Sequence, residues 1–417
     1  MINKTLLLIC NHFPYGGGET FIEGEFEYLH KAFKKVIVLT RTNKTEVKYQ
    51  VPQDVELIRL APKSDLKRKF RFLSIQFANR KRINELLQNE ASSVKSIFGS
   101  QANDSQKAKM KHDLFKALEL KDFIEREVLP VTGKDIVVYS YWQNASTLSA
   151  VLLKEDNLCD LAISRGHGSD VYFEAHKDNY LSFRKYISQN IDGLFFISDF
   201  GKKYQSEKLK SQFESYIVSR LGTRITQEPK ESGNSDKKVL ASCSNIIPLK
   251  RIHLIIRALA EIDSTEIHWV HFGNGPMETE VRDLAKEMLS NKKNISYDFK
   301  GRVPNDEIHT FYADSQVDLF VNVSESEGVP VSIMEAMSHG IPAVATNVGG
   351  TSEIVDDKCG KLVNSDVSPS QLATVLEDEL DKKEKGALAY EKWKKYYCAE
   401  ENYARFINDI KELIDRG

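Results

Sequence analysis

The chain has no Cys-x-x-Cys pair. Its five cysteines, Cys10, Cys159, Cys243, Cys359 and Cys398, are scattered, and no His/Cys cluster stands at metal-ligand spacing. That pattern offers no metal centre, and reduced thiols in a cytosol are the simplest account of it. Nor does any apolar run approach the length that spans a bilayer. The N-terminus passes almost directly into Thr5-Leu6-Leu7-Leu8-Ile9-Cys10, too short for a signal h-region with its cleavage site and readable as a first buried strand. A basic excess is missing as well. A formal charge of -2 with a hydrophobic fraction of 41% describes an ordinary globular chain, not one dedicated to nucleic acid. What is present is length: 417 residues exceed what one hydrophobic core supports, so two domains are expected, each with a sizeable core.

The most informative stretch runs from Glu327 to Met337. Before it, Asp318-Leu319-Phe320-Val321-Asn322-Val323 reads as a short buried strand; after it, Pro330 suits the first turn of a helix and Gly340 with Pro342 its stop. Glu327 then falls at the strand's carboxyl end and Glu335 on the second turn of the helix, where open α/β sheets bind ligands. An ionised carboxylate accepts through two oxygens and cannot donate, so such a pair matches the paired hydroxyls of a ribose or a sugar ring. The alternative is two solvated charges on a surface loop and helix.

The block Glu327-Gly328-Val329-Pro330 followed by Glu335-Ala336-Met337-Ser338-His339-Gly340-Ile341-Pro342 strongly resembles the Glu-x7-Glu signature of the family 4 glycosyltransferases. The resemblance spans nearly the whole chain, is strongest from Ser242 to Val355, and is closest in kind to bacterial surface and capsular polysaccharide enzymes. It implies an α/β protein of GT-B architecture, two Rossmann-like doubly wound domains facing an interdomain cleft. The domains implied are an acceptor domain over 1–225, a nucleotide-sugar domain over 239–395, and a C-terminal helix over 396–417 that returns to the first domain. The polar stretch 226–238, with Pro229 and Gly233, reads as the linker.

In the first half, the strand at Thr5 runs into Gly16-Gly17-Gly18 and then a helical pattern through Phe21, Phe26 and Leu29. Consecutive glycines let backbone approach a ligand, and a helix N-terminus offers N–H groups to an anion; a flexible turn is the other reading. The resemblance places these three glycines near the donor's phosphates and sugar. Residues 62–112 hold twelve Lys and Arg against four Asp and Glu, interleaved with Phe70, Leu73, Ile75, Phe77, Ile83, Leu86 and Leu87, which predicts one or two amphipathic helices with a cationic side. Either the apolar face packs on its own domain and the basic face is solvated, or the arm contacts an anionic membrane. Further on, Leu161-Ala162-Ile163-Ser164 leads into Arg165-Gly166-His167-Gly168-Ser169-Asp170. A histidine there can be an ordinary hydrogen-bonded turn residue. The resemblance makes His167 a ring directed at the transferred sugar and its phosphate, with Asp170 orienting the loop.

In the second half, Val239-Leu240-Ala241-Ser242-Cys243-Ser244 reads as a strand, and Lys250 stands just before a helix through Leu254, Ile255, Ala258 and Leu259. An ammonium beside free helix N–H groups makes a compact anion site suited to a diphosphate. Family members carry Gly-Arg-Leu-x-Pro-x-Lys-Gly here, whereas this chain has Asn245 in the arginine's slot and Arg251 in the last glycine's; either Arg251 or another cation compensates, or the pyrophosphate is held less tightly. The resemblance further assigns Gly273 and Gly275 to the base and phosphates and Gly301 to Val303, with Arg302, to the base edge; the glycine turn at Gly349, Gly350 and Thr351, opening a helix, reads as a second phosphate cradle.

The resemblance implies a retaining, hexosyl-type glycosyltransferase using a nucleotide diphosphate sugar, UDP foremost, and a lipid-linked or growing surface polysaccharide as acceptor. Lys250, Glu327 and His167 carry the chemistry, Glu335 takes the ribose hydroxyls, and Gly328, Val329 and Pro330 complete the donor site. Neither metal nor other cofactor is expected, and no protein nucleophile is needed. The place of work is the cytoplasm, with peripheral membrane contact as the alternative in which the 62–112 arm docks on the bilayer. Rival readings are a glycosidase, a nucleotide-sugar epimerase or phosphorylase on the same fold, and a non-catalytic partner subunit.

Overall fold

The computed structural model describes residues 1–16, 19–60, 66–225 and 237–416, and not the side chains of residues 20, 66–70 and 72. The chain divides into two compact units, Met1–Ser219 with Tyr403–Gly417, and Arg220–Asn402.

Short apolar runs build the first unit's strands: β1 (Ile2–Cys10), β2 (Phe33–Thr40), β3 (Glu56–Arg59), β4 (Ile136–Ser140), β5 (Leu161–Gly166), β6 (Gly193–Phe196) and β7 (Tyr216–Val218). They pair in the order β3-β2-β1-β4-β5-β6-β7, every neighbour parallel. Leu6 to Ile9 of β1 and Ile136 to Val138 of β4 are fully buried, the mark of a sheet covered on both faces by crossover helices. The strand order reverses between β1 and β4, so the loops leaving their carboxyl ends form a topological switch point.

The basic arm holds three helices rather than one or two: Leu66–Ala78, Arg80–Phe98 and Asp104–Phe123, the last continuing through a π-helical turn at Ile124–Val128 into Leu129–Thr132. Local punctuation makes the extra break. Gly99 at φ +73 ends the second helix in a left-handed turn, and Asn103 opens the third in a reciprocal capping box with Gln106. Ile83, Leu86, Val94, Met110 and Leu114 bury against Leu148, Val151, Leu152 and Phe196, so the arm's main apolar face is taken by its own unit. Positions 62–65 of the arm lie outside the described residues.

The second unit repeats the plan with β8 (Lys238–Cys243), β9 (Ile267–Phe272), β10 (Ile295–Gly301), β11 (Leu319–Asn322), β12 (Ala343–Thr346) and β13 (Gly360–Val363). Their order is β10-β9-β8-β11-β12-β13, again all parallel, with the reversal between β8 and β11. Leu240, Ile255, Leu259, Trp269, Val321 and Leu372 anchor its core. Of the 226–238 linker, residues 226–236 lie outside the described residues, and Lys238 already belongs to β8. The last helix is Ala399–Arg416, and from Tyr403 it belongs to the first unit, where Phe406 meets Tyr139 and Phe195 at ring distances of 5.7 and 4.8 Å.

Candidate functional site

In the second unit the loops after β8 and β11 converge. Pro248–Lys250 forms one 3-10 turn, and the helix Ile252–Glu261 starts two residues after Lys250. Between them Arg251 sits at φ +49 and ψ +41, a left-handed conformation in which a residue with a side chain is strained. Its guanidinium supports the turn: Nε donates to the Val323 carbonyl at 2.6 Å and Nη1 to the Ser365 carbonyl at 2.6 Å. Those bonds make Arg251 a strut joining the loops after β8, β11 and β13. Its Nη2 is buried without a hydrogen-bond partner among the described residues.

Glu325 N–H donates to the Leu249 carbonyl at 2.9 Å, which ties the acidic loop to the lysine turn. Lys250 Nζ then reaches Glu327 Oε1 at 2.5 Å, and Asn322 Nδ2 donates to the same oxygen at 3.3 Å. Gly349 locks the loop from the other side. At φ +53, a Cβ there would stand 1.8 Å from the Glu327 carbonyl oxygen, so only glycine admits this contact. Gly350 N–H completes the clamp by donating to the Gly328 carbonyl at 2.9 Å. Pro330 occupies the N-cap of the helix Val331–Ser338, beside Val329, which is buried. Glu335 on that helix is half-buried, accepts from Asn305 Nδ2 at 3.1 Å, and has its carboxyl pushed up to about 7 by burial.

Gly273 and Gly275 serve the chain's own backbone. A Cβ at Gly273 would lie 1.9 Å from the Ser244 carbonyl oxygen, and one at Gly275 2.3 Å from that of Ile246. Their bareness lets the loop after β9 seat the loop carrying Asn245, whose side chain is exposed. Arg302 is exposed and Val303 half-buried just beyond β10. Thr351 is buried, with no partner for its Oγ1 among the described residues.

The first unit holds the remaining residues. Gly16 faces Lys44, while Gly17 and Gly18 lie outside the described residues. Glu19, which follows them, is buried and organises the loop: its carboxylate accepts from the N–H groups of Asn11, His12 and Phe13 at 2.9, 2.6 and 2.6 Å and from Trp142 Nε1 at 2.5 Å. Sequence reasoning passed over this acid, though an acid closing a glycine run before a helix was the available signal. It also passed over Asn305 and Asn322. His167 is buried against Tyr141 and Trp142 at ring distances of 4.8 and 4.6 Å, and its Nε2 donates to the Tyr141 carbonyl at 3.2 Å. Burial and the Arg165 charge bring its pKa down to about 3, so it meets any ligand as a neutral ring. Asp170 orients this loop, its two oxygens accepting from His167 N–H at 2.6 Å and Gln143 N–H at 2.7 Å.

Lys250, Glu327 and Glu335 are thus grouped in the second unit, and Gly16 and His167 belong to the first. Among the described residues, no three His, Cys, Asp or Glu side chains are placed to hold a metal ion, and no helix is long and apolar enough to cross a membrane. All five cysteines are free.

Residues 224–396 match the family model described as glycosyl transferases group 1. WcaL of Escherichia coli K12, named for colanic acid biosynthesis, is 27% identical over 222 residues, covering 49% of this chain and 53% of WcaL. The match therefore spans about half the length of that relative. Sucrose-phosphate synthase from Thermosynechococcus elongatus has the same fold, with a TM-score of 0.69 across 100% of both chains at 17% identity. Anabaena HepE, solved with UDP and glucose, gives a TM-score of 0.65 over 98% of this chain and 100% of its own at 14% identity. Residues 224–396 thus resemble the glycosyl transferases group 1, and the chain has the two-domain GT-B fold of these solved structures.

Proposed function

We propose that the protein is a retaining glycosyltransferase that moves a hexose from a nucleotide diphosphate sugar, UDP foremost, to a hydroxyl of a growing or lipid-linked surface polysaccharide. The observation that carries this reading is the Lys250–Glu327 pair at 2.5 Å, held by three loops at the carboxyl ends of β8, β11 and β12, with Glu335 on the next helix. In the reaction the anomeric C–O bond to the diphosphate breaks, a C–O bond to the acceptor oxygen forms, and the hydroxyl proton leaves with the diphosphate. Negative charge grows on the departing group. Lys250 and the N–H groups opening the helix Ile252–Glu261 meet it with fixed positive polarity, in a reading that needs no metal. Glu335 accepts from the ribose hydroxyls, and Glu327, steadied by Lys250, positions a sugar hydroxyl. HepE shares the fold and its crystal holds UDP and glucose, and WcaL is named for colanic acid biosynthesis, which supports the donor and acceptor classes.

The test is release of nucleoside diphosphate from a panel of nucleotide sugars, with and without saccharide acceptors. Lys250→Ala lowers turnover by about 10²–10³-fold, the usual effect of removing one donor aimed at developing charge. A wild-type protein that binds no nucleoside diphosphate, or a Lys250→Ala variant with full turnover, sinks the proposal.

Work at the cytoplasmic membrane face belongs to the same reading. Leu73 and Phe77 stand 58% and 84% exposed on the first arm helix. Among the described residues five of the arm's cations are already paired within the unit: Arg71 with Asp122, Lys81 with Glu85, Arg82 with Glu155 and Asp156, Lys107 with Asp104, and Lys109 with Asp113. Contact therefore depends on the exposed apolar pair, and Phe77→Asp should abolish cosedimentation with anionic vesicles while leaving donor binding intact.

A further inference from the structure

The first unit contains a cavity of about 530 Å³ that the donor chemistry above leaves unused. Its floor is built by the ends of β1, β2, β4 and β5 through Asn11, Arg41, Trp142 and Asp170. One wall comes from the inserted helix Asp104–Phe123 through Lys109, Asp113, Lys116 and Glu119. The volume falls within the range of about 300–1,000 Å³ usual for small-molecule sites.

The charged groups around it differ in what already occupies them. Both Asp170 oxygens are filled by backbone N–H groups at 2.6 and 2.7 Å. Arg184 donates to the carbonyls of Asp170 and Ser182 at 3.0 to 3.3 Å. Asp113 takes Lys109 at 3.0 Å and the Ser182 hydroxyl at 2.5 Å. Lys116 makes no hydrogen bond or ion pair among the described residues, and it shares the cavity with Arg41 and Lys109. Partial burial and the repulsion of those two cations hold its ammonium below the ordinary lysine value, with Glu119 and Asp113 opposing the effect. A cation crowded by like charge in a concave wall is relieved by an anion. Trp142 also lines the cavity, its indole N–H fixed by Glu19 at 2.5 Å, and an aromatic ring suits the C–H face of a sugar.

We propose that this cavity receives the acceptor saccharide and that Lys116, with Arg41, takes an acidic substituent on it, a uronic carboxylate or a phosphate ester. The inference rests on the glycosyl-transfer reading and names the acceptor class for it. Sequence separation hid the arrangement, because Lys116 lies on the helix Asp104–Phe123 while Arg41 and Trp142 follow strands of the sheet.

Three probes test it by titration against the full chain: methyl glucoside, methyl glucuronide and glucose 6-phosphate, with UDP-induced thermal shift measured in parallel. An anionic probe binds at least about tenfold tighter than the neutral one, the low end for a charge-assisted hydrogen bond. Lys116→Gln abolishes that preference and keeps the wild-type UDP shift. Tighter glucuronide assigns the carboxylate, and tighter glucose 6-phosphate assigns the phosphate. Equal or absent binding of all three probes overturns the proposal, as does an undiminished preference in both Lys116→Gln and Arg41→Gln. Loss of the UDP shift in the wild type, with the anionic preference intact, strikes the donor assignment and leaves the cavity's chemistry standing.

Discussion

Glu335 accepts one side-chain hydrogen bond, from Asn305 at 3.1 Å, and burial pushes its carboxyl up to about 7. The neutral acid is therefore the favoured form below neutrality. A ribose diol donates two hydrogen bonds and so prefers the carboxylate, which lowers the group's pKa in the complex. Binding below pH 7 must then release a proton. By linkage, affinity for a UDP-sugar, whose diphosphate diester does not titrate in this window, should fall about tenfold for each pH unit from 7 toward 5 and be flat above 7. Glu335→Gln should bind more weakly at pH 8 and show no slope, as read by calorimetry across that range. The same raised value acts on the fold with the opposite sign: a carboxyl whose folded pKa lies above its unfolded one loses stability as pH rises from the unfolded value through the folded one. A wild-type profile flat from pH 5 to 8 would remove Glu335 from the ribose.

Among the elements, β5 is bound to its neighbours by a charge that never meets water. Arg165 and Glu25 are both fully buried and lie 3.0 Å apart; Tyr139 on β4 donates to Glu25 at 2.7 Å, and Arg165 Nη1 donates to the Ser219 carbonyl at 2.8 Å. Arg165→Leu leaves Glu25 buried alone and should cost about 3–5 kcal/mol, whereas adding Glu25→Leu should recover much of the loss, because an apolar pair carries no desolvation penalty. Thermal unfolding of the two variants checks this, and equal damage from both would show that packing rather than charge holds the strand. Such a pair is illegible in sequence, since the partners are far apart and each alone reads as a surface charge. The strands were legible for the opposite reason. Val239 to Ser244 reads as a strand and β8 runs over Lys238–Cys243, because its signal, an apolar run between turn residues, is local. Lys250, Glu327 and Glu335 were legible through the spacing of a motif. Gly273 and Gly275 stood out equally, but spacing cannot tell a ligand from the carbonyls of Ser244 and Ile246 as the neighbour that forbids a side chain. Glu19 gives only a local hint, an acid closing a glycine run; its partner Trp142 lies on another strand's end and is not visible in the sequence.

For the molecule as a whole, the first unit's core is completed by the last residues of the chain. Phe406 and Ile410 are fully buried and Ile407 nearly so, packed with Tyr139, Ile163 and Phe195 of the central strands, and Arg165 lies over the Phe406 ring at 4.4 Å. Burying each such side chain is worth roughly 1.5–3 kcal/mol. Three of them together approach the 5–15 kcal/mol or so that separates a folded domain from its unfolded state. Removing them would also uncover the Arg165–Glu25 pair. Stopping the chain before Tyr403 should therefore unfold the first unit while sparing the second, whose six strands and whose Lys250, Glu327 and Glu335 all precede that point. Hydrogen exchange resolves the two outcomes: amides of β1, β4 and β5 lose protection in the truncated chain, and those of β8, β9 and β11 keep it. If the second unit folds alone, its melting midpoint still rises with a nucleotide sugar, by the mass-action stabilisation of about 2.7 kcal/mol at a hundredfold excess over Kd. Protection lost equally in both sheets would mean that the last helix sustains the two units as one cooperative body.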